Sequence, residues 1–295
     1  MIISASRRTD IPAFYSKWFM GRIREGFCEV ANPFSPSQVS RVSLRPDDVD
    51  VVVFWTRNAA PLLPHLRELD KRGYRYYFLY TVLDYPELLE PHTPAFETRV
   101  ETFRRLADTI GAERVIWRYD PIVLSTITPV EFHKETFARI AADLHKSTDR
   151  CVISFVDIYR KLTRRLRWLE QHGCTIREPN PDETAELAYF ISSCAQNHGM
   201  LVQSCAETID LTPWNIPPGQ CIDDAYIGAI FGLAVDSMKD PSQRPACGCV
   251  VSKDIGSYDT CLHGCRYCYA TSSEEKAQER FALHDPKAPS LLSAP

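Results

Sequence analysis

Six short apolar segments alternate with helical segments over the first two-thirds of the chain, and this alternation limits the fold more than any other feature. The apolar segments are rich in β-branched and aromatic residues, and they span 2–5, 51–55, 76–82, 115–119, 152–156 and 201–204. Their near-continuous apolar character is typical of strands buried on both faces of a parallel sheet. Leucines at helical spacing lie between them, for example Leu62, Leu66 and Leu69.

A glycine stands between a helical segment and the next strand at Gly73, Gly111 and Gly199, where a left-handed helix cap is expected. The repeated order of strand, helix, glycine and strand predicts an α/β fold, a partial or complete (β/α) TIM-like barrel over residues 1–210. A doubly wound open sheet is the alternative. No Gly-rich dinucleotide fingerprint or P-loop follows a strand, which argues against that alternative.

The texture of the sequence changes at about residue 211, where prolines and glycines become frequent. One helix is predicted at 223–238, and the rest of this region reads as irregular. We therefore predict a Cys-rich segment at 211–271 that packs on the barrel. A flexible polar tail is predicted at 272–295.

Eleven cysteines occur among the 295 residues, and nothing resembling a signal peptide precedes them. We therefore expect a cytoplasmic protein whose thiols stay reduced, and clustered thiols in that setting usually bind metal. The net charge of −4 gives no general attraction to nucleic acid or to anionic lipid. No apolar run approaches the ~20 residues of a membrane-spanning helix. Neither nucleic acid nor a membrane is an expected partner.

Three cysteines, Cys261, Cys265 and Cys268, form a C-x3-C-x2-C group. Thiolate is the preferred ligand of iron–sulfur clusters, and one such loop can hold three irons of a [4Fe–4S] cube. The fourth iron would then stay open to a small molecule. A zinc site is the alternative, although zinc favours paired C-x2-C arms and four protein ligands.

Residues 261–270, with Tyr267 just before the last cysteine, resemble the signature of the radical S-adenosylmethionine (SAM) superfamily. Residues 1–270 also resemble a bacterial family of unknown function with a C-terminal radical SAM-like cysteine cluster. The motifs that carry this second resemblance lie at 4–10, 54–56, 117–121, 204–207 and 247–249.

The resemblance implies a [4Fe–4S] cluster and SAM as cofactors. It further implies reductive cleavage of SAM to a radical that acts on an unknown, small-molecule or other substrate. An electron donor such as flavodoxin or ferredoxin would be a partner.

The sequence departs from the superfamily pattern in two ways. The cysteine loop ordinarily follows the first barrel strand but here follows the last, and no Gly-Gly-Glu segment is present to bind the methionine part of SAM. A circular permutation would explain both, with residues 4–10 as the neighbouring strand end and the methionine-binding segment. This hypothesis requires Arg7 and Asp10 to lie near the three cysteines.

The remaining cysteines divide into two sets. Four could form a second, fully ligated [4Fe–4S] site: Cys205, Cys221, Cys247 and Cys249. The alternative is that Cys205 and Cys221 are small core hydrophobes. The other four are assigned to packing: Cys28, Cys151, Cys174 and Cys194.

Catalytic groups of a (β/α) barrel project from the carboxyl ends of its strands. The candidate catalytic residues are therefore Arg7, Asp10, Arg118, Asp120 and Glu207, and the candidate cofactor-binding residues are Ser6, Arg8, Asp157 and Tyr267. Arg118 and Asp120 are the strongest of these, because residues two apart on a strand face the same side. The basic run 160–167 is predicted to be a solvated helix face.

Two other functions remain open at this point. One is a non-enzymatic, zinc- or cluster-stabilised barrel that binds a partner or nucleic acid. The other is a metal-independent barrel hydrolase or lyase that uses the Arg/Asp set alone, and whose activity would survive alanine at all three cysteines of the C-x3-C-x2-C group.

Overall fold

The computed structural model describes residues 1–292. Its strands are β1 Ile2–Ala5, β2 Phe27–Asn32, β3 Ser35–Ser43, β4 Val51–Thr56, β5 Tyr76–Thr81, β6 Val115–Ile122, β7 Arg150–Phe155, β8 Leu201–Cys205, β9 Pro218–Gly219 and β10 Lys253–Asp254. Its α-helices are α1 Ile11–Phe14, α2 Ser16–Glu25, α3 Leu66–Lys71, α4 Phe96–Ile110, α5 Val130–Leu144, α6 Thr163–Gln171, α7 Pro181–Asn197, α8 Asp224–Phe231 and α9 Glu274–Ala282.

Eight of the strands form one parallel sheet in the order β10-β1-β4-β5-β6-β7-β8-β9. From β1 to β8 the order follows the chain in one direction, without the reversal of a doubly wound sheet. Within residues 1–292, β9 and β10 are not paired with each other and form the two edges. The prediction of a partial (β/α) barrel is therefore confirmed.

All six predicted strands are present, and the three glycines that precede strands have positive φ angles of 83°, 97° and 72°. The antiparallel hairpin of β2 and β3 was not predicted. Its strands are polar and partly exposed, with Phe34 near the tip 93% exposed. Strands of this kind lack the continuous apolar run that is typical of a strand buried on both faces.

The two faces of the sheet are buried by different parts of the chain. One face carries Phe54, Phe78 and Trp117 and packs against the surrounding helices. On the other, inner face, residues such as Val53 pack against the region 221–250, including Ile227 of α8. The C-terminal region thus fills the interior of the partial barrel.

The predicted domain boundary at 210/211 does not separate two packed units. Strands β9 and β10, which both lie beyond residue 210, are the two edge strands of the main sheet. The helix predicted at 223–238 is shorter than expected, because α8 ends at Gly232 in the left-handed conformation. No helix of residues 1–292 is long and apolar enough to cross a bilayer.

Residues 272–292 of the segment predicted to be a flexible tail contain a helix and contact the barrel. This region forms α9 and then returns to the barrel, where the Trp18 Nε1–H donates to the Ala288 carbonyl oxygen at 3.0 Å. The Glu29 amide likewise donates to the Pro289 carbonyl oxygen at 2.9 Å, and Leu291 is 2% exposed. Residues 293–295 of the predicted tail lie outside the described residues.

His133 predicts a dependence of stability on pH. It is fully buried on α5, between the Tyr119 hydroxyl at 2.9 Å from Nδ1 and the Val123 carbonyl oxygen at 3.1 Å from Nε2. Burial lowers the pKa of His133 to about 4, below the ~6.5 of an unfolded chain. The unfolded chain therefore binds more protons, and the stabilisation present above pH ~6.5 is lost as the pH falls towards 4.

Between pH 7.5 and 5 the wild type should lose about 2 kcal/mol more unfolding free energy than His133→Gln, which keeps a donor and an acceptor but does not titrate. Urea unfolding at both pH values measures this difference. Equal losses in the two proteins would show that His133 is not buried as a neutral group.

Candidate functional site

The C-x3-C-x2-C group, here called the triad (Cys261, Cys265 and Cys268), lies in the loop that follows β10. Strand β10 pairs in parallel with β1, with Lys253 opposite Ile3 and Asp254 opposite Ser4. The triad loop therefore begins at the carboxyl end of an edge strand, next to the carboxyl end of β1. This is the spatial order that the permutation hypothesis requires.

Asp254 joins the two strand ends. Its carboxylate accepts hydrogen bonds from the hydroxyls of Ser4 at 2.9 Å and Ser6 at 2.6 Å, and from the amides of Arg7 at 2.8 Å and Gly256 at 2.9 Å. Four donors saturate a carboxylate. Asp254 thus fixes the segment of residues 4–8 against the start of the triad loop.

Asp10 makes a second, direct connection between β1 and the triad loop. His263, inside the loop, is 2.9 Å from Asp10 Oδ2 through its Nε2. The same carboxylate accepts from the Thr56 hydroxyl at 2.8 Å and from the amides of Arg57 at 2.7 Å and Ala13 at 3.0 Å. Asp10 is therefore close to the triad, as the hypothesis requires, but its oxygens are used for positioning.

The loop itself turns tightly around its sulfurs. Gly264 has a φ angle of 68°, and a Cβ atom there would lie 2.9 Å from His92 Cδ2. The Cys268 amide donates to the Cys265 carbonyl oxygen at 3.0 Å, and the Ala270 amide donates to Cys268 Sγ at 3.3 Å. A backbone N–H directed at a sulfur stabilises negative charge on it.

A buried ion pair contacts the triad loop through Tyr267. Arg57, just after β4, binds Glu90 Oε1 at 2.6 Å and the Tyr267 hydroxyl at 2.8 Å. The Tyr267 hydroxyl also donates to Glu90. Burial alone would lower the pKa of Arg57. The negative charges of the Cys265 thiolate and the Glu90 carboxylate outweigh burial and raise this pKa well above its ordinary value.

A second cation holds the loop from the side of α6. Arg165 donates to the carbonyl oxygens of Cys265, at 3.2 Å, and Cys268. The interpretation of residues 160–167 as a wholly solvated helix face is therefore wrong for Arg165. Arg165 and Arg57 thus place two guanidinium groups beside the triad.

Burial raises the pKa of two triad thiols. For Cys261, burial is the main reason that the pKa lies well above its ordinary value. The charges of Asp10 and of the other two sulfurs raise this pKa further. Burial likewise raises the pKa of Cys265 to about 12, although Arg57 lowers it. Both groups are protonated at neutral pH in the absence of metal, so metal binding would release protons.

The other four-cysteine set, here called the tetrad (Cys205, Cys221, Cys247 and Cys249), also converges. Cys205 ends β8, Cys221 follows β9, and their sulfurs are 3.1 Å apart. The Ile222 amide donates to Cys249 Sγ at 3.4 Å. A hydrogen bond from Cys221 is the main cause that lowers the pKa of Cys205. Hydrogen bonds from Cys221 and Cys247 likewise lower the pKa of Cys249.

Both predicted catalytic arginines, Arg7 and Arg118, have pKa values that respond to the tetrad thiols. Burial would lower the pKa of Arg118, but the charges of Cys221 and Cys205 raise it. The pKa of Arg7 is raised in the same way by the charges of Cys249 and Asp254. The Arg7 guanidinium also lies over the Trp55 ring, 4.8 Å from its centroid. Arg118 also pairs with Asp120, which confirms that these two side chains face the same side.

The remaining predicted site residues are dispersed around the strand ends. Ser6 and Arg8 lie beside residues 254–258, with Arg8 over the Tyr258 ring at 5.4 Å. Glu207 accepts from the Phe155 amide at 3.0 Å and so connects β8 to β7. Asp157 is 54% exposed, pairs with Arg244 and is not brought to the triad.

Sequence reasoning missed the roles of Glu90, Arg165 and Asp254. Each lies outside the cysteine motif: Glu90 is on the loop between β5 and α4, Arg165 is on α6, and Asp254 is on β10. The one available signal was the position of Asp254, directly before the loop on the strand that precedes it. Within residues 1–292, no three Cys, His, Asp or Glu side chains are already arranged around a single metal ion.

A family model described as "Domain of unknown function (DUF1848)" matches residues 2–270. No curated protein matches the sequence significantly. Among solved structures, a Bacteroides thetaiotaomicron protein provisionally named an alpha-L-fucosidase is similar over 81% of this chain and 84% of that chain. The identity is 10% and the TM-score is 0.28.

Proposed function

The chain belongs to the DUF1848 family, a domain of unknown function, and from its own residues we propose that it is a radical SAM-like enzyme. In this proposal the triad holds a [4Fe–4S] cluster, and SAM is reductively cleaved there to generate a radical on an unknown substrate. An electron donor such as flavodoxin or ferredoxin would supply the electron.

The observation that carries the proposal is the position of the triad loop. It follows β10, which lies in parallel beside β1 in a partial (β/α) barrel, and it closes over the carboxyl ends of β1, β4 and β5 through Asp10, Arg57 and Glu90. Catalytic groups of such barrels lie at this end of the sheet. The order of the strands in the sheet supports a circular permutation, in which β10, the last strand in the chain, occupies the position of the first barrel strand.

The residues present fit the proposed cluster in three respects. The donor set is three thiols in one short loop, which suits iron in a sulfide cube and leaves one iron without a protein ligand. Arg57 and Arg165 supply positive charge around an anionic centre. The Ala270 amide provides the kind of N–H···S hydrogen bond that tunes clusters.

A cube is held at its corners, so its ligands lie further apart than those of one metal ion. The absence, within residues 1–292, of side chains arranged around a single ion is therefore compatible with the proposal. When bound, the cluster supplies one-electron reduction of SAM.

The segment of residues 6–8 is the proposed neighbour of the SAM methionine moiety. It is fixed beside the triad loop by Asp254, and the Tyr269 hydroxyl donates to the Arg7 carbonyl oxygen at 3.3 Å. Two buried polar atoms near the loop, Thr9 Oγ1 and His263 Nδ1, have no hydrogen-bond partner in the described part of the chain. Unsatisfied buried polar atoms are costly, and a bound amino acid could satisfy them.

The roles of the predicted residues divide accordingly. Asp10 and Tyr267 are positioning residues, because their polar atoms already bind His263, Glu90 and Arg57. The Arg8 guanidinium donates one long hydrogen bond, at 3.5 Å, to the Gly256 carbonyl oxygen. Arg8 is therefore the proposed contact for a carboxylate, which a guanidinium can bind in a bidentate manner.

The test is anaerobic reconstitution of the full chain with iron and sulfide, followed by SAM and a strong reductant. We expect 5′-deoxyadenosine to form only when both SAM and reductant are present, as measured by mass spectrometry. If the protein, purified without oxygen, holds zinc rather than iron in the triad, the proposal is wrong and the metal-stabilised barrel is the better description.

A further inference from the structure

Four thiols approach one another on the inner face from three separate parts of the chain, although within residues 1–292 no three of them are already arranged around a single ion. Cys205 comes from the end of β8, Cys221 from the residues after β9, and Cys247 and Cys249 from the region before β10. The Cys205 and Cys221 sulfurs are 3.1 Å apart. Packing alone does not require cysteine at four positions that are distant in sequence and meet in space.

Three of the four tetrad cysteines are shielded from water, and Cys205 is partly exposed. Cys221, Cys247 and Cys249 are 3%, 7% and 1% exposed, and they pack with Ile222, Val250 and the inner face of the sheet. Burial of this kind suits a thiolate–metal centre, since protein ligands then replace the hydration shell of the ion.

Two partly buried guanidinium groups lie near these thiols, each with a buried N–H that has no acceptor in the described part of the chain. Arg118 stands next to Cys205 and Cys221, and Arg7 next to Cys249. Arg118 Nε and Arg7 Nη2 are buried without a hydrogen-bond partner within residues 1–292. Arg118 also pairs with Asp120, but these two N–H groups are left over, and a buried donor without an acceptor is costly. Four neutral thiols offer no charge, whereas four thiolates around a metal carry a net negative charge.

We propose that the tetrad binds a thiophilic metal centre through all four thiolates. Zinc and a [4Fe–4S] cluster share this ligand chemistry, and either has its coordination closed by four cysteines. Either also spreads the two closest sulfurs, since thiolates 2.3 Å from one zinc ion lie roughly 3.8 Å apart.

A closed centre has no open position for a substrate, so its role is structural. It connects the ends of β8 and β9 to the region just before β10. The centre therefore holds residues 221–250 inside the barrel and, through β10, sets the position from which the triad loop begins. This site is independent of the function proposed for the triad.

The test uses the full chain with Cys261→Ala, Cys265→Ala and Cys268→Ala together, so that only the tetrad can bind. The protein is purified without oxygen and exposed separately to zinc and to iron with sulfide, and its metal and sulfide are counted. We expect about one zinc, or about four irons with a similar number of sulfides, per chain. Those two arms distinguish the two centres.

A second variant adds Cys221→Ser and Cys249→Ser to the first and should lose at least fivefold of that metal. If the triple variant does not fold, Co2+ replaces the other metals in Cys268→Ala, where the thiolate charge-transfer absorption should persist, and adding Cys249→Ser to that variant should remove most of it. A folded triple variant without metal, metal that survives loss of Cys221 and Cys249, or a cobalt spectrum left unchanged by the added Cys249→Ser would each overturn the proposal.

Discussion

Cys265→Ala is expected to reduce formation of 5′-deoxyadenosine by roughly 100-fold or more and to remove the iron of the triad. In the proposed cluster each of the three thiolates would anchor one iron, and the coordination of the open iron would depend on the cube staying in place. Cys265 is the most buried of the three and has the Arg57 and Arg165 guanidinium groups beside it. Iron and sulfide counts, with product measured by mass spectrometry, test this.

Cys194→Ala is the matched control. Cys194 lies half-buried on α7, and its sulfur is 4.0 Å from His198 Nδ1. It belongs to neither the triad nor the tetrad, so iron content and product formation should stay within about twofold of the wild type. Wild-type activity in Cys265→Ala would instead favour a metal-independent enzyme.

Arg57→Met is expected to lower the free energy of unfolding by about 3–5 kcal/mol. The variant leaves the Glu90 carboxylate buried and without its closest cation, since the side chain of Glu90 is fully buried and Arg57 Nη1 lies 2.6 Å from it. Arg99 is the next cation, at 3.6 Å, and compensates only in part. Urea unfolding monitored by circular dichroism measures the effect.

Two comparisons make this prediction specific. Arg57→Met with Glu90→Gln should be less destabilising than Arg57→Met alone, because the uncompensated charge is then removed. Arg24→Met, which breaks a surface pair with Glu68 in which Arg24 is 49% exposed, should cost less than about 1 kcal/mol. If Arg57→Met were no more costly than Arg24→Met, the buried pair would not support the triad loop.

Six of the eight strands of the main sheet were predictable because of their burial on both faces. Segments such as 76–82 are apolar at nearly every position, and few local structures other than a central strand bury such a run. The hairpin of β2 and β3 carries no comparable signal. Strands β9 and β10 have two residues each, too short for any pattern to reveal them.

The candidate site was predictable in its cysteines and in strand-end residues such as Asp10, but not in the charged groups that hold the loop. The spacing of the triad is a local property of ten residues, and it can be read without knowing the fold. The ion pair of Arg57 with Glu90 joins residues 33 apart in the chain, and Arg165 reaches a loop 100 residues away. Which charges meet across such distances depends on the order of the strands.

The sequence by itself determined the repeated strand–helix units and the three sulfur ligands in one loop, because both are encoded in short-range spacing and hydrophobicity. Only the tertiary structure decided that β10 lies beside β1, that Asp254 and Asp10 join the two ends of the chain, and that four distant cysteines converge. Pairing between strands about 250 residues apart is set by burial of the whole sheet, and no local pattern records it.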